Sequence, residues 1–209
     1  MNDVGTAEEK VLGEKSVQKR KYILEKARTV FADKGFKNVT MKDIVDACEI
    51  SRGGLYLYFS STEELFIAVL SEEVDEDDEE AVVAALSGDA SAGDMLALFL
   101  KEQKKEILRK KNNLTVATYE YFSTHKVPSK DNPLKVQFDT AVRIVERLIE
   151  NGVENDEFYC ENPEGCARNL MYVVEGLKIA SKTIGVSEEA IDAELMYVLE
   201  GLVPDELNT

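Results

Sequence analysis

Helical periodicity is the feature of this sequence that most constrains its fold. Between residues 16 and 70, apolar side chains recur every three or four positions, the spacing that places them on one face of a helix, and no segment alternates convincingly as a strand would. The predicted helices cover 16–34, 40–49, 52–58 and a segment that starts at Ser61. Thr40 and Ser51, like Ser61, can each cap the helix that follows. The joints are very short, so we predict a small helical bundle at the N-terminus.

The rest of the chain is also helical after a clear boundary. The acidic run Glu72–Glu80 and the small, polar stretch Ser87–Gly93 predict the end of the fourth helix and a mobile link. Further helices are predicted near 94–111, 113–125, 133–151, 163–184 and 188–201. We therefore predict an all-α protein of about nine helices. Residues 1–65 form a three-helix domain whose first 14 residues are a flexible arm, and residues 66–209 form a larger helical domain.

Charge is distributed unevenly along the chain. The net charge is −16, but residues 15–60 contain ten basic and five acidic side chains, a local surplus of five positive charges. A basic head on an acidic body suits phosphate contact at one end and repulsion of DNA elsewhere, although two solvated surfaces are the alternative. No stretch approaches the roughly 18 apolar residues of a membrane helix, and Met1–Lys21 has no signal-peptide run. We expect a cytoplasmic protein that binds no membrane.

The reactive side chains suggest neither catalysis nor a metal or cofactor site. Cys48, Cys160 and Cys166 are too scattered for a disulfide framework, and with the single His125 they do not match zinc-ligand spacings. Buried thiols that behave as small apolar side chains are the simpler interpretation. No phosphate-binding glycine loop and no nucleophile paired with a base can be identified. We therefore expect a protein that is not an enzyme and has no cofactor.

The segment from Thr40 to Phe59 predicts a helix-turn-helix. In this motif two short helices are joined by a tight turn, and the second lies in the major groove of DNA, which is about 12 Å wide. The side chains expected to hold the two helices together are Ile44, Ile50, Leu55 and Phe59. A small helical bundle that binds no DNA is the alternative, but the short joints, the glycine pair and the local positive charge together favour the DNA-binding motif.

The second helix of this motif carries side chains suited to DNA. Gly53 and Gly54 have no side chains and would let the helix approach the duplex closely. Arg52 can donate two hydrogen bonds at once, to a guanine or to a phosphate. Tyr56 and Tyr58 can donate hydroxyls to phosphates while their rings pack on the rest of the domain. This helix is therefore the predicted recognition helix.

The same stretch resembles the N-terminal domain of the TetR family of transcriptional regulators over residues 16–70. The matching residues, in order, are Ile23, Ala27, Phe31, Gly35, Phe36, Thr40, Ile44, Ser51, Gly53, Leu55, Tyr56, Tyr58, Phe59, Glu63, Glu64 and Leu65. The resemblance implies a homodimer with nine helices per chain that represses transcription. It also implies that the dimer releases its operator when it binds a small ligand.

Two positions depart from the family pattern. Members usually have glycine where Glu49 stands, so this turn is expected to need a different backbone shape. They commonly have lysine where Thr62 stands, so a phosphate contact is expected to be missing or to be replaced by the Thr62 hydroxyl and the helix N-terminus. The predicted DNA-binding residues are Thr40, Lys42, Ser51, Arg52, Gly53, Gly54, Tyr56, Tyr58 and Thr62. One basic cluster consists of Lys15, Lys19, Arg20 and Lys21. It either contacts the DNA backbone or minor groove, or it is a solvated arm.

The last two predicted helices lie where the resemblance places a four-helix dimer interface. Helix 163–184 is apolar around much of its girth, which predicts burial on more than one side. The candidate interface residues are Leu177, Ile184, Ile191, Leu195, Val198 and Leu199. A dimer would set two recognition helices roughly 34 Å apart, one turn of a palindromic operator. The alternative is that both helices only close the core of one chain.

The middle helices are expected to enclose any effector, because flexible methionine and rigid aromatic rings suit an apolar cavity. The candidate lining residues are Met95, Phe99, Tyr119, Phe122, Phe138, Tyr172 and Glu175. Each of them, taken alone, is also compatible with ordinary core packing. Glu175 interrupts an apolar run, and a carboxylate there needs a partner. The partner is a cationic ligand, a lysine of the second subunit, or solvent at the rim of a dimer, which we favour.

These observations favour a sequence-specific, DNA-binding transcriptional regulator. The leading hypothesis is a dimeric repressor that a small-molecule effector releases from its operator, which requires the ligand to prefer the state that cannot bind DNA. The alternative keeps the DNA-binding domain but makes the second domain a docking module for a protein partner, with no small ligand. A closed, lined pocket would favour the first hypothesis, and a filled core with a surface groove would favour the second.

Overall fold

The computed structural model describes residues 7–72 and 91–202, with side chains described from residue 13 onward. Within these residues the structure contains nine α-helices, a short 3-10 helix at Ser129–Asp131 and no strand, which confirms the all-α prediction. The helices are α1 (Ala7–Lys34), α2 (Met41–Cys48), α3 (Arg52–Tyr56), α4 (Thr62–Ser71), α5 (Ala92–Leu108), α6 (Thr115–Phe122), α7 (Pro133–Glu154), α8 (Pro163–Thr183) and α9 (Glu188–Glu200).

The helix boundaries differ from the sequence-based expectation in several places. Helix α1 begins at Ala7, so residues 7–14 are helical where a flexible arm was expected; five of these eight residues are alanine, glutamate or lysine, which favour helix formation. Helix α3 ends at Tyr56, two residues earlier than predicted. Of the predicted link, residues 73–90 lie outside the described residues, and Ser91–Gly93 instead cap and begin α5.

Side-chain caps fix where most of these helices begin. In each case a serine, threonine or asparagine oxygen accepts a hydrogen bond from the backbone N–H three residues further on, a group that the helix itself leaves without a partner. The capping residues are Thr40, Ser51, Ser61, Ser91, Asn132, Asn162 and Ser187. In α7 and α8 a proline follows the cap at the first helical position. These contacts confirm the predicted starts of α2, α3, α4, α7 and α8.

The chain divides into two compact units, of which the first comprises Met1–Glu73 and Val116–Lys126. It contains α1 to α4 together with nearly all of α6, and α1 packs against both α2 and α4. Its largest fully buried side chains are Phe31, Phe66, Ile23, Ile44, Leu55, Leu65 and Leu70. The predicted core residue Phe59 is also buried, whereas Ile50 is only half-buried. This core holds the short helices α2 and α3, which are too short to be stable alone.

The second unit comprises Val74–Thr115 and Val127–Thr209, and it contains α5, α7, α8 and α9. Helices α7 and α8 pack against each other and against α5, and α9 packs on α5 and α8. The carboxylate of Glu157 caps the first turn of α5 by accepting from the backbone N–H of Gly93 at 2.9 Å. Lys104 on α5 forms an ion pair with Asp192 on α9 at 2.6 Å. Across residues 7–72 and 91–202, no helix has both the length and the apolar character that crossing a bilayer requires.

Candidate nucleic-acid interface

Helix α2 is fixed at its start by a capping box. The Thr40 hydroxyl accepts from the backbone N–H of Asp43 at 3.3 Å, and the Asp43 carboxylate accepts from the backbone N–H of Thr40 at 2.8 Å. Lys34, at the end of α1, donates to the same carboxylate at 2.5 Å. The Lys34 ammonium, followed by the two Thr40 donors, holds the pKa of Asp43 well below its usual range. The ionised Asp43 carboxylate therefore ties the start of α2 to the end of α1.

The turn between α2 and α3 contains a non-glycine residue in the left-handed region. Glu49 has φ 53° and ψ 39°, and its backbone N–H donates to the carbonyl of Asp46 at 3.3 Å. This is the conformation that glycine adopts without strain and that costs other residues about 1 kcal/mol or more. The expectation that Glu49 requires a different backbone shape is therefore wrong, because glutamate adopts the backbone that favours glycine.

Helix α3 has one buried face and one exposed face. Leu55 is fully buried, and Phe59, just after the helix, is 2% exposed. The exposed face carries four residues that follow one another around the helix surface: Arg52, Gly53, Tyr56 and Leu57. The structure therefore brings together three predicted DNA-binding residues. It adds Leu57, which the sequence analysis missed because apolar periodicity signals burial and gives no reason to expect an exposed leucine.

Among the remaining predicted DNA-binding residues, some already cap a helix and others do not. Lys42 is exposed on α2, whereas the oxygens of Thr40 and Ser51 already cap helices, although both residues stay exposed. Gly54 is half-buried, and its backbone N–H donates to the Ser51 hydroxyl at 3.1 Å. This contact fixes the first turn of α3, and close approach of Gly54 to DNA stays a prediction.

Tyr58 and Thr62 lie beyond the exposed face of α3. The Tyr58 hydroxyl accepts from the Ser16 hydroxyl at 3.4 Å, which ties this ring to α1. Thr62 begins α4, whose first turn carries the carboxylates of Glu63 and Glu64. Two acidic side chains at that turn disfavour an approaching phosphate, because like charges repel. A phosphate contact by Thr62 stays a prediction, and the surrounding charge does not support it.

The basic cluster in the middle of α1 is only partly available for DNA. Lys15, Lys19 and Lys21 are exposed. Arg20 instead forms an ion pair with Glu72 at 3.2 Å, and its guanidinium lies 5.4 Å from the centre of the Phe59 ring. Arg20 therefore helps to hold Phe59, which follows the recognition helix α3. The sequence around Arg20 gives no indication of this role.

Helix α6 is part of the first unit and packs on its aromatic core. The Tyr121 ring lies 4.8 Å from that of Phe36 and 5.5 Å from that of Phe66, and it stacks on His125 at 4.3 Å. The Glu120 carboxylate accepts from the backbone N–H of Lys37 at 3.1 Å. Burial raises the pKa of the Tyr121 hydroxyl. Residues that are 83 positions apart thus fix the turn that precedes α2.

The residues proposed to line an effector cavity fall in both units. Tyr119 and Phe122 lie in the first unit, and the other candidates lie in the second. Met95, Phe99 and Phe138 are partly buried against the core of the second unit. The Phe138 ring lies 5.1 Å from that of Tyr172, which is 62% exposed. Effector contacts by these residues stay predictions.

Glu175 has a partner on its own helix. Its carboxylate accepts from the Lys178 ammonium at 2.7 Å, and both side chains are largely buried. The charge is therefore balanced one turn along α8, by a partner that the sequence does not predict.

Cys160 and Cys166 both pack against the core of the second unit, and burial raises the pKa of the Cys166 thiol to about 11. That thiol is therefore protonated near neutral pH.

The proposed dimer-interface residues differ widely in exposure. Ile191 and Leu195 are 0% and 5% exposed, so the core of their own chain already covers them, and Leu177 is also buried. Val198 and Leu199 are half-buried. Ile184 is the one candidate that is fully accessible, at 84%. Three further apolar side chains on α8 and α9 are exposed: Tyr172, Met196 and Tyr197.

A short helix, a tight turn and a second short helix with an outward-facing arginine define the class of helix-turn-helix DNA-binding regulators. Comparison with known proteins agrees with this geometry. Residues 23–69 match the family described as "Bacterial regulatory proteins, tetR family", and residues 95–192 match "Tetracyclin repressor-like, C-terminal domain". The helix-turn-helix transcriptional regulator YfiR of Bacillus subtilis is 33% identical over 203 residues, which cover 86% of this chain and 98% of that protein.

The chain belongs to the TetR family of transcriptional regulators, and it is a DNA-binding regulator and not an enzyme. Solved structures share its fold. The reduced form of E. coli NemR has a TM-score of 0.75 at 19% identity, over 89% of this chain and 97% of that one. FadR from Bacillus subtilis, solved in complex with stearoyl-CoA, has a TM-score of 0.66 at 17% identity, over 86% and 97%. These identities are low, so the likeness establishes the fold alone.

Proposed function

We propose that this protein is a dimeric repressor that binds a palindromic operator through α3 and releases it when a small molecule binds the second unit. The observation that carries the DNA-binding part is the exposed face of α3. Arg52 and Tyr56 supply hydrogen-bond donors there, and Gly53 leaves room for close approach to base edges. Because DNA is the proposed partner, we place its action in the cytoplasm.

Local charge supports the same face. Residues 15–60 carry a surplus of five positive charges on a chain whose net charge is −16. Lys42 on α2 and the exposed lysines of α1 are suited to phosphates, and the acidic remainder of the chain repels DNA from other surfaces. Electrostatic attraction thus favours the approach of DNA to the face that carries the recognition helix.

A selection experiment tests operator binding. The full-length protein is used to enrich duplexes from a randomised pool, and its affinity for the enriched duplex is then compared with a scrambled one at several salt concentrations. We expect an inverted repeat whose half-sites are one helical turn apart, bound about a thousandfold or more tighter than the scrambled duplex. A folded protein that enriches no sequence, even at low salt, would contradict the proposal.

The dimer part of the proposal is supported by exposed apolar side chains near the C-terminus. Tyr172, Ile184, Met196 and Tyr197 lie on or beside α8 and α9 and are 53% to 84% exposed. Large apolar side chains grouped on two helices are typical of a surface that another chain covers. We therefore assign the interface to these side chains, together with the half-buried Val198 and Leu199.

Sedimentation of a charged variant tests this interface. Tyr197→Glu places a carboxylate in the proposed contact, where burial without a partner is unfavourable, so we expect a monomer that binds operator weakly. Leu98→Glu, at an exposed leucine on α5, is the matched control and should leave the dimer intact. A Tyr197→Glu protein that sediments as the wild type does would remove α9 from the interface.

The effector part rests on the second unit. Met95, Phe99 and Phe138 are partly buried apolar side chains there, and the structural neighbour FadR was solved with a bound acyl ligand. We propose that a largely apolar small molecule binds among them and prefers the state that cannot bind the operator. Glu175, which already pairs with Lys178, is given no direct role, so Glu175→Gln should leave the response unchanged.

A two-stage screen tests the effector. Compounds are first ranked by how much they raise the melting temperature of the protein, and the best are then added to the operator complex while fluorescence anisotropy is followed. We expect at least one stabilising compound to release the duplex, because a ligand that prefers one state shifts the equilibrium toward it. If no stabilising compound releases the duplex, the protein-docking alternative is favoured for the second unit.

A further inference from the structure

Leu57 is the most exposed large apolar side chain among the described residues of the first unit, at 84%. It follows α3 directly and keeps a helical backbone, with φ −69° and ψ −22°, and its N–H donates to the carbonyl of Gly53 at 3.2 Å. Its direction is therefore fixed by the last turn of the helix. A leucine held out into water in this way is unlike the other aliphatic residues of the motif, which are buried or half-buried.

Leu57 lies on the same side of α3 as the predicted DNA-binding residues. At about 100° per residue, positions 52, 53, 56 and 57 fall within an arc of about 140°. The buried residues Leu55 and Phe59 lie outside that arc and face the core. Whatever approaches Arg52 and Tyr56 therefore also meets Leu57.

The surface beside Leu57 is open. In a helix, side chains lean toward the N-terminus, so Leu57 inclines toward Gly53, one turn earlier. Apart from its chain neighbours and the backbone of its own helix, a Cβ atom placed at Gly53 would have no heavy atom within 4 Å. An incoming group can therefore reach the Leu57 side chain without displacing any part of the protein.

We propose that Leu57 recognises the C5-methyl group of a thymine in each operator half-site, an inference that rests on the proposed binding of α3 in the major groove. Leucine can neither donate nor accept a hydrogen bond. Of the four base edges in the major groove, thymine alone presents a methyl group. Contact between Leu57 and this methyl removes apolar surface of both from water, and the other three bases have no methyl to bury.

This role is separable from that of the polar residues on the same face. Arg52 and Tyr56 act through hydrogen bonds, which persist when a methyl group is removed from a base. Replacement of thymine by uracil deletes the methyl group and leaves the hydrogen-bonding groups of the base unchanged. The substitution thus isolates the contribution that Leu57 makes.

The experiment uses the full-length protein and the duplex that it enriches from a randomised pool. Each thymine of one half-site is replaced in turn by uracil, and the affinity for each duplex is measured for the wild type and for Leu57→Ala. We expect one position at which uracil weakens wild-type binding about fourfold, because burial of one methyl carbon contributes about that much to affinity. At the same position, Leu57→Ala should bind the thymine and the uracil duplex equally. Leu98→Ala, at a leucine that is 52% exposed on α5, is the control and should keep the fourfold discrimination.

The possible failures are distinguishable. If no thymine is sensitive to loss of its methyl in the wild type, or if Leu57→Ala shows the same fourfold loss, the assignment to Leu57 is overturned while operator binding stands. If the protein enriches no sequence, the proposed operator binding fails and this inference fails with it. Circular dichroism of both variants checks that they are folded, which the exposure of both side chains leads us to expect.

Discussion

Leu55 and Leu57 stand two residues apart at α3, yet one is fully buried and the other is 84% exposed. Gly35 and Gly53 differ in the same way. Gly35 is buried against Glu120 in a left-handed conformation with φ 73°, and Gly53 faces open space. The first unit thus uses the same residue types for different purposes on its inner, buried side and on its outer face. The inner side fixes the angle of the recognition helix, and the outer face of α3 is left for contact with a partner.

The leucine pair gives the largest contrast. Leu55→Ala leaves a cavity in the core of the first unit, so we expect a loss of about 2–5 kcal/mol in the free energy of unfolding. Leu57→Ala should change it by less than about 0.5 kcal/mol, because the side chain is already in water. Urea denaturation followed by circular dichroism measures both. Similar losses for the two variants would mean that the faces are not distinct.

The glycine pair sharpens the same contrast. An alanine Cβ at position 35 would lie 2.7 Å from the Glu120 carboxylate and would occupy a strained backbone, so Gly35→Ala should cost about 2 kcal/mol. Gly53→Ala should preserve or slightly raise stability, because alanine favours helix formation. It should nevertheless weaken operator binding roughly tenfold, the size of one lost base contact. Thermal unfolding and anisotropy are to be measured on both variants. Unchanged operator affinity for Gly53→Ala would contradict close approach at that position.

Low pH should destabilise the folded protein through Asp43. Its pKa is lower in the folded protein than in the unfolded chain, so its contribution to stability is present above about pH 4, the ordinary carboxyl value, and is lost as the pH falls below it. Asp43→Asn removes this dependence. The difference in unfolding free energy between wild type and variant should therefore shrink from pH 6 to pH 3. A constant difference would mean that the contact with Lys34 does not depend on charge.

The smallest expected effect concerns the turn. Glu49 adopts a left-handed backbone that glycine tolerates better, so Glu49→Gly should stabilise the protein by about 0.5–1 kcal/mol. The gain is limited because glycine also increases the entropy of the unfolded chain. Urea denaturation detects the change, and Glu194→Gly on the exposed face of α9 is a destabilising control, because its backbone is helical. A destabilised Glu49→Gly would indicate contacts of the side chain that outweigh the strain.

The helix-turn-helix could be predicted from the sequence because its determinants are local. Caps such as Thr40 and Ser51 act over three residues, and periodicity identifies the buried Ile44 and Leu55. The guanidinium group of Arg52, at the start of the second helix, indicated its role through its two parallel donors. These signals are contained within about twenty consecutive residues, so no knowledge of the tertiary structure was needed.

Other features depend on pairs of residues that are distant in sequence. The contact between Glu120 and Lys37 spans 83 residues, and that between Arg20 and Glu72 spans 52. No periodic pattern encodes which carboxylate meets which donor. For the same reason the sequence could not show that Ile191 and Leu195 are covered by their own chain while Met196 and Tyr197 are exposed. Burial is decided by packing, and helical spacing alone does not determine it.

The most direct test of the central claim, that the outer face of α3 contacts base edges, is a comparison of the sequences enriched by the wild type and by Arg52→Ala. We expect the variant to lose preference at one base pair per half-site and to bind about 1–3 kcal/mol more weakly. Arg168→Ala, which removes an arginine paired with Glu164 on α8, is the control and should enrich the wild-type site. An Arg52→Ala protein that enriches the same sequence with the same affinity would contradict the account.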